Sequence, residues 1–403
     1  MNPWRGLRDI PHSVWLLAFA TLINRSGTMV LPFLALYMIK GMGVTVSEAG
    51  LVLTFYGAGA LVTAPFVGKL SDKLGALRVM KLSLILTGIM LFVFPHIKNY
   101  QFILVYTLIW SIIGEAFRPA NLSLISNETE PEQRKTAFAL NRLAINLGMS
   151  IGPVVGGFLS QINFHLLFYI DGLTSVLAGI FLVFSNFEVK RTAYLNIDNG
   201  AAKEELKPAK NTGLLKDHRF LLFMITLIPV NMVFFQHIGP MPIFLVDDLG
   251  FQQSTFGVLM AVNTILIIFI EVPLNNIMAH WDDRTASAIG ALLCGIGFGA
   301  MAFADSFFAI VLTIVIWTFG EMIFFPATTS YTSTVSPADR RGEYMGYFQM
   351  TFSLALMVGP WLGTVVLDYT GSVVLWIGTF VFSLFSAISF LVMKKGESKQ
   401  ITS

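Results

Sequence analysis

Charge is what this sequence has least of. Asp, Glu, Lys and Arg make up 12% of its 403 residues, about half the share usual in a soluble protein. The 26 basic and 24 acidic side chains are too few to cover a chain of this size in water. A water-soluble domain is therefore excluded, and most of the surface must face lipid. Cysteine is almost absent. Cys294 stands alone, which excludes an internal disulfide and any Cys-based metal cluster. A formal net charge of +2 and the lack of any basic stretch interleaved with aromatics leave no basis for nucleic-acid binding. No Walker loop, H-E-x-x-H or G-x-S-x-G string occurs, so neither ATP hydrolysis nor covalent catalysis is indicated. The chain is not read as an enzyme, and no cofactor or metal is expected.

Apolar residues fill the space that charge leaves, at 55% of the chain. Windows of about 20 apolar residues, the length that crosses a hydrocarbon core, recur at 14–39, 49–69, 79–97, 102–124, 137–160, 164–186, 219–246, 255–278, 285–304, 308–331, 344–368 and 373–393. In lipid, backbone groups must be paired within the segment, and these windows are twice the length of barrel strands, so they are helices. The expectation is an all-α integral membrane protein with twelve transmembrane helices. The first span is too long for a signal h-region and has no small-residue cleavage site after it, so it reads as retained. With the N-terminus inside, 21 of the 26 Lys and Arg fall on the cytoplasmic side. That places both termini in the cytoplasm of a plasma membrane, a bacterial inner membrane.

A polar stretch at 187–218 divides the chain into residues 1–186 and 219–403 and reads as a cytoplasmic linker. The two parts repeat. At a constant offset of 207, Asn24 meets Asn231, Gly43 meets Gly250, Ser47 meets Ser254, Trp110 meets Trp317, Pro119 meets Pro326, and Gly152-Pro153 meets Gly359-Pro360. A parallel six-plus-six repeat implies two six-helix bundles related by a pseudo-two-fold axis along the membrane normal, with a substrate site near mid-membrane between them.

The loop after the second span reads GKLSDKLGALRVM from Gly68, and the fifth span contains GMSIGPVVGG from Gly148. At these residues the sequence resembles the major facilitator superfamily, through its G-x-L-x-D-x-x-G loop signature and the G-x-x-x-G-P-x-x-G-G signature of its drug:proton antiporter branch. The resemblance implies that the first and fourth helices of each half line a central cavity. It also implies a latch built on Gly68, Asp72, Lys73, Gly75 and Arg78. A solvated turn that only fixes topology is the alternative. Gly148, Gly152 and Gly156, four apart, make a smooth face for a neighbouring helix, and Pro153 permits a bend.

Ionisable groups within spans are costly and stand as functional candidates by default. Asn24 and Arg25 fall in helix 1, Glu115 and Arg118 in helix 4, Arg142 in helix 5, Asn231 and His237 in helix 7, and Glu321 in helix 10. Glu115 and Arg118 are three apart and share a helix face, and Arg142 is expected at a similar depth. One carboxylate among several guanidinium groups offers a route to proton coupling, while a static ion pair is the alternative. Arg25 is expected to bind an acidic or polar substrate group. Asp171 and Glu271 lie in helices 6 and 8, where bonding between helices and function are both open. His237 reads equally as a wall residue.

These residues and the resemblance together imply a monomeric secondary transporter. Proton-coupled export of small amphipathic, zwitterionic or anionic compounds is the leading expectation, with the proton gradient as the energy source and the lipid bilayer, protons and a small-molecule substrate as partners. Transport of peptides, amino acids, sugars or lysolipids, by symport if imported, remains open. So does a non-transporting membrane receptor or accessory subunit.

Overall fold

A computed structural model of the chain describes residues 10–185, 217–278, 280–336 and 341–393. Among these it contains helices and no strand. Twelve helices are long and apolar enough to span a membrane. The first six are α1 (His12–Gly41), α2 (Val46–Leu74), α3 (Ala76–His96), α4 (Tyr100–Glu128), α5 (Pro131–Ile162) and α6 (His165–Phe184). The second six are α7 (His218–Asp248), α8 (Gln253–Ile277), α9 (Asp283–Phe303), α10 (Phe307–Val335), α11 (Arg341–Thr370) and α12 (Ser372–Val392). Several begin earlier than hydropathy suggests, because polar residues start them. Thr45 with Glu48 forms a capping box ahead of α2, and Glu130 with Gln133 does so ahead of α5.

Within the first six, α1 packs on α5 and α6, α2 on α4, and α3 on α6; within the second six, α7 packs on α11 and α12, α8 on α10, and α9 on α10 and α12. The two bundles meet along two seams, α2 against α11 and α5 against α8. Small residues make these seams close. A side chain at Gly57 would collide with the Met357 backbone, and one at Gly257 would collide with Pro153.

The repeat reaches the backbone detail. The widened π-type turn Tyr37–Gly41 recurs at Phe244–Asp248, 207 residues on. The 3-10 turn Phe94–His96 recurs at Met301–Phe303. Gly43 has φ 71° and Gly250 has φ 68°, so glycine is required at both. The face bearing the α1–α2 and α7–α8 turns is called the upper face below; α1 begins and α12 ends at the opposite, lower face.

Polar contacts close the upper face across the bundles, and they obey the same offset. Lys40 forms an ion pair with its own repeat mate, Asp247. The Ser47 hydroxyl donates to Asp368 at 2.5 Å. Its mate, Ser254, accepts from Gln161 Nε2 at 2.6 Å, and Gln161 is the mate of Asp368.

One expectation needs correction. The first span is not one continuous helix: it stops at Ser26 and resumes at Val30. The amides of Met29 and Val30, left without a helical partner, donate instead to Asp171 Oδ2 of α6 at 3.2 and 3.1 Å.

Candidate functional site

The side chains from the first half converge inside their own bundle. Glu115 accepts a hydrogen bond from the Tyr56 hydroxyl of α2 at 2.8 Å, and the Tyr56 ring lies edge-on to Trp110 at 5.0 Å. The Arg25 guanidinium carbon lies 5.7 Å from the Phe117 ring centre. Arg25 Nε is buried with no hydrogen-bond partner. Arg25, Tyr56, Glu115 and Asp171 line one polar cavity of about 50 Å³. That is room for one or two waters, not for a drug-sized solute. Asn24 borders the same cavity and donates to Ser175 of α6 at 3.1 Å.

Glu115 and Arg118 do not form the ion pair that their spacing suggests; Arg118 is exposed and has no ion pair among the described residues. The cause is local. Pro119 has no N–H to give to the Glu115 carbonyl, and α4 is interrupted at Ala116, so a three-residue spacing no longer defines one face. Arg142 does not join Glu115 either. It forms an ion pair with Glu271 of α8, across the seam between the bundles. The Glu271 side chain is nearly buried, while that of Arg142 is half-exposed.

Glu321 belongs to this second cluster. Asn263 of α8 donates one hydrogen bond to Glu321 Oε2 at 2.9 Å and another to Thr318 Oγ1 at 3.0 Å. Glu321 lies within electrostatic reach of both Glu271 and Arg142. The guanidinium that pairs with Glu271 comes from the opposite bundle. Among the described residues, this is the one polar contact between bundles away from the upper face.

The remaining candidates are more dispersed. Asn231 is fully buried and ties α7 to α11 through Thr351 at 3.3 Å. His237 bonds the Phe234 carbonyl at 2.6 Å and stacks between Phe235 and Trp317. Aromatic rings from α7, α10 and α11 continue this wall through Phe234, Phe325 and Phe352. Gly148, Gly152 and Gly156 pack respectively against Arg25, Thr28 and Met29 of α1, where a Cβ would collide. Of the loop candidates, Gly75 ends α2 with φ 87°, and Lys73 and Arg78 are exposed. Gly68 and the Asp72 side chain, on which the latch depends, lie outside the described ones.

Tyr56 and Asn263 do not stand out from sequence as partners of these groups, whereas Asp171, open between bonding of helices and function, bonds the break in α1. Asn263 interrupts an apolar run, which is a usable signal; Tyr56 lies in a span rich in small and aromatic residues and carries none. Among the described residues no group of His, Cys, Asp or Glu is arranged to hold a metal ion. A larger cleft of about 690 Å³ opens at the upper face beside Gln161, His165 and Gln252. It lies away from both charged clusters.

Two repeated six-helix bundles, closed at one face and bearing charged groups at their seam, define the class: a secondary transporter. The chain belongs to the Major Facilitator Superfamily, whose sequence model matches residues 14–285 and 237–402. It is 23% identical over 399 residues to the uncharacterized MFS-type transporter YqjV of Bacillus subtilis (strain 168), covering 97% of this chain and 93% of that one. It is 24% identical over 364 residues to a Na(+), Li(+), K(+)/H(+) antiporter of Planococcus maritimus, covering 84% and 85%. Against the quinolone resistance protein NorA of Staphylococcus aureus (strain MSSA476) the identity is 22% over 343 residues, covering 84% and 86%. The fold is shared with the crystal structure of a POT family transporter in complex with 5-aminolevulinic acid, at TM-score 0.78 and 16% identity over 96% of this chain and 99% of that one. The protein is thus a multi-pass membrane transporter that handles a small molecule.

Proposed function

We propose that the chain exports small amphipathic compounds in exchange for protons, with the lower face and both termini in the cytoplasm of a bacterial plasma membrane. The observation that carries this reading is the Arg142–Glu271 ion pair across the α5–α8 seam, with Glu321 behind it. Rocking the bundles has to break or rearrange that contact. A proton on Glu321 removes its claim on Arg142, and its release restores the competition, so the charge state of one carboxylate biases the geometry of the seam. Glu321 is the proton carrier in this scheme. Arg25 and Glu115 tune the interior of the first bundle, and the aromatic wall around His237 and Trp317 suits a flat apolar solute with a polar group. Outward transport draws support from the quinolone-resistance and antiporter relatives.

Everted membrane vesicles with an acidified interior test the proposal, with norfloxacin as a zwitterionic aromatic probe. Norfloxacin should accumulate inside, a protonophore should stop it, and Glu321→Gln should reduce uptake to that of vesicles lacking the protein. Unchanged uptake by Glu321→Gln would sink the mechanism. The antiporter relative favours a second reading, exchange of monovalent cations for protons. Dissipation of the proton gradient by sodium alone would select it.

A further inference from the structure

The break in α1 is gripped from two sides. On the α6 side, Asn24 bonds Ser175 at 3.1 Å, Gly27 leaves room for the Thr174 side chain, and Asp171 Oδ2 accepts from Met29 and Val30. Thr174 in turn donates to the Asp171 carbonyl at 2.9 Å. On the α5 side, Gly148, Gly152 and Gly156 lie against Arg25, Thr28 and Met29. Arg25 is thus two residues below a discontinuity whose freed amides both end on one buried carboxylate oxygen. Removing that acceptor would leave two backbone donors without their partner inside the bundle, and the turn between Ser26 and Val30 would loosen. Loosening frees the residues below it to reorient, Arg25 first.

We propose that Asp171 is a positioning residue for transport: it holds α1 broken and so fixes the Arg25 guanidinium beside the Glu115–Tyr56 pair. The proton dependence that follows rests on the exporter reading above. The charged and titratable groups facing Asp171 across the small cavity are Arg25 from α1, Tyr56 from α2 and Glu115 from α4. Helix α3 contributes only Ser83 and Thr87 as polar neighbours there, and α5 presents its glycines to α1. The second bundle has no such carboxylate. Gly378 is the mate of Asp171, and the break in α7 is held by the Gln236 amide, which donates to Met232 and Gly359 carbonyls at 2.8 and 2.9 Å.

The test uses full-length protein with Asp171→Ala, Asp171→Asn and the double change Asp171→Ala with Glu115→Gln. Two readouts are taken: amide hydrogen exchange of peptides covering 24–36, and norfloxacin transport across pH. In Asp171→Ala, exchange in that peptide should rise about 10-fold as two hydrogen bonds are lost. The maximal rate should fall about 10-fold with KM changed by less than about 3-fold. Its pH profile should shift by about one unit. Asp171→Asn, which keeps an acceptor oxygen, should restore slow exchange but not the pH profile. The double variant should be no worse than the more impaired single one, since both act through Arg25. Unchanged exchange in Asp171→Ala overturns the proposal, as does faster exchange with an unmoved pH profile and rate. Absence of proton-driven uptake in the wild type would instead defeat the exporter reading, and the exchange measurement would still decide whether Asp171 holds α1.

Discussion

The two halves of this transporter share a backbone and differ in what fills it. At an offset of 207 they share the π-type turns and the left-handed glycines Gly43 and Gly250, although α4 is interrupted at Ala116 and α10 is not interrupted at the matching position. The first bundle encloses a polar cavity with Arg25, Tyr56, Glu115 and Asp171. At the matching depth the second has Met232, Asn263, Met322 and Gly378, with an aromatic wall around His237 and Trp317. Glu321 replaces Gly114, and Glu271 replaces Ala64. Duplication therefore supplied a symmetric hinge, and substitution within one copy or the other supplied chemistry. Symmetric features should serve motion, and asymmetric ones should serve protons and substrate.

The largest effect should come from an asymmetric position. Glu321→Gln should abolish proton-driven norfloxacin uptake, whereas Glu115→Gln, with Tyr56 still beside it, should slow uptake about 10-fold. Equal losses would erase the distinction between the seam cluster and the bundle interior. Next comes a symmetric pair. Gly50→Val and its mate Gly257→Val each insert a branched side chain where a helix of the opposite bundle lies against the glycine. Each should cost about 1–3 kcal/mol of overpacking in the closed seam, and the two should slow transport alike. A strong effect from only one would show that the seams do not open together.

Much of this division is visible in the sequence, and the reason is the scale of each signal. Twelve spans and the repeat are written in runs of about 20 residues and in recurring rare residues such as Trp110 and Trp317. Local rules failed where a distant residue intervened. The break in α1 follows a single glycine, Gly27, and its acceptor Asp171 lies over 140 residues away in sequence. Arg142 finds its partner at Glu271, 129 residues on. The i, i+3 relation of Glu115 and Arg118 was overridden by Pro119 one residue further along.

The upper face offers a milder test of symmetry. Asp368 and Gln161 are mates that grip mate serines, one with a carboxylate and one with an amide. Asp368→Asn makes the two sides chemically alike, and because the site is exposed, the transport rate should change by less than about 5-fold. A larger loss would mark Asp368 as part of the proton path.

The smallest effects on transport concern the turns ahead of α3 and α9, where changes act on stability. Gly75 begins α3 with φ 87°, and its mate Asp282 begins α9 by accepting from the Thr285 amide at 3.3 Å. Gly75→Ala should destabilise by about 1–3 kcal/mol through backbone strain, and Asp282→Ala by about 1 kcal/mol through loss of a cap. Burial pushes the Asp282 carboxyl up, but the Thr285 amide and Arg284 outweigh it and hold the group below its ordinary value. A carboxyl lowered in the folded state stabilises above its unfolded value, and that contribution is lost as pH falls through the folded value. The Asp282→Ala deficit in thermal unfolding should therefore vanish in acid, while the Gly75→Ala deficit should not.

Proton release coupled to solute movement tests the central claim most directly. Purified protein in liposomes with an enclosed pH dye, given a norfloxacin gradient, should move protons against the solute, and Glu321→Gln should move none beyond protein-free liposomes. Wild-type proton flux in Glu321→Gln would contradict the account.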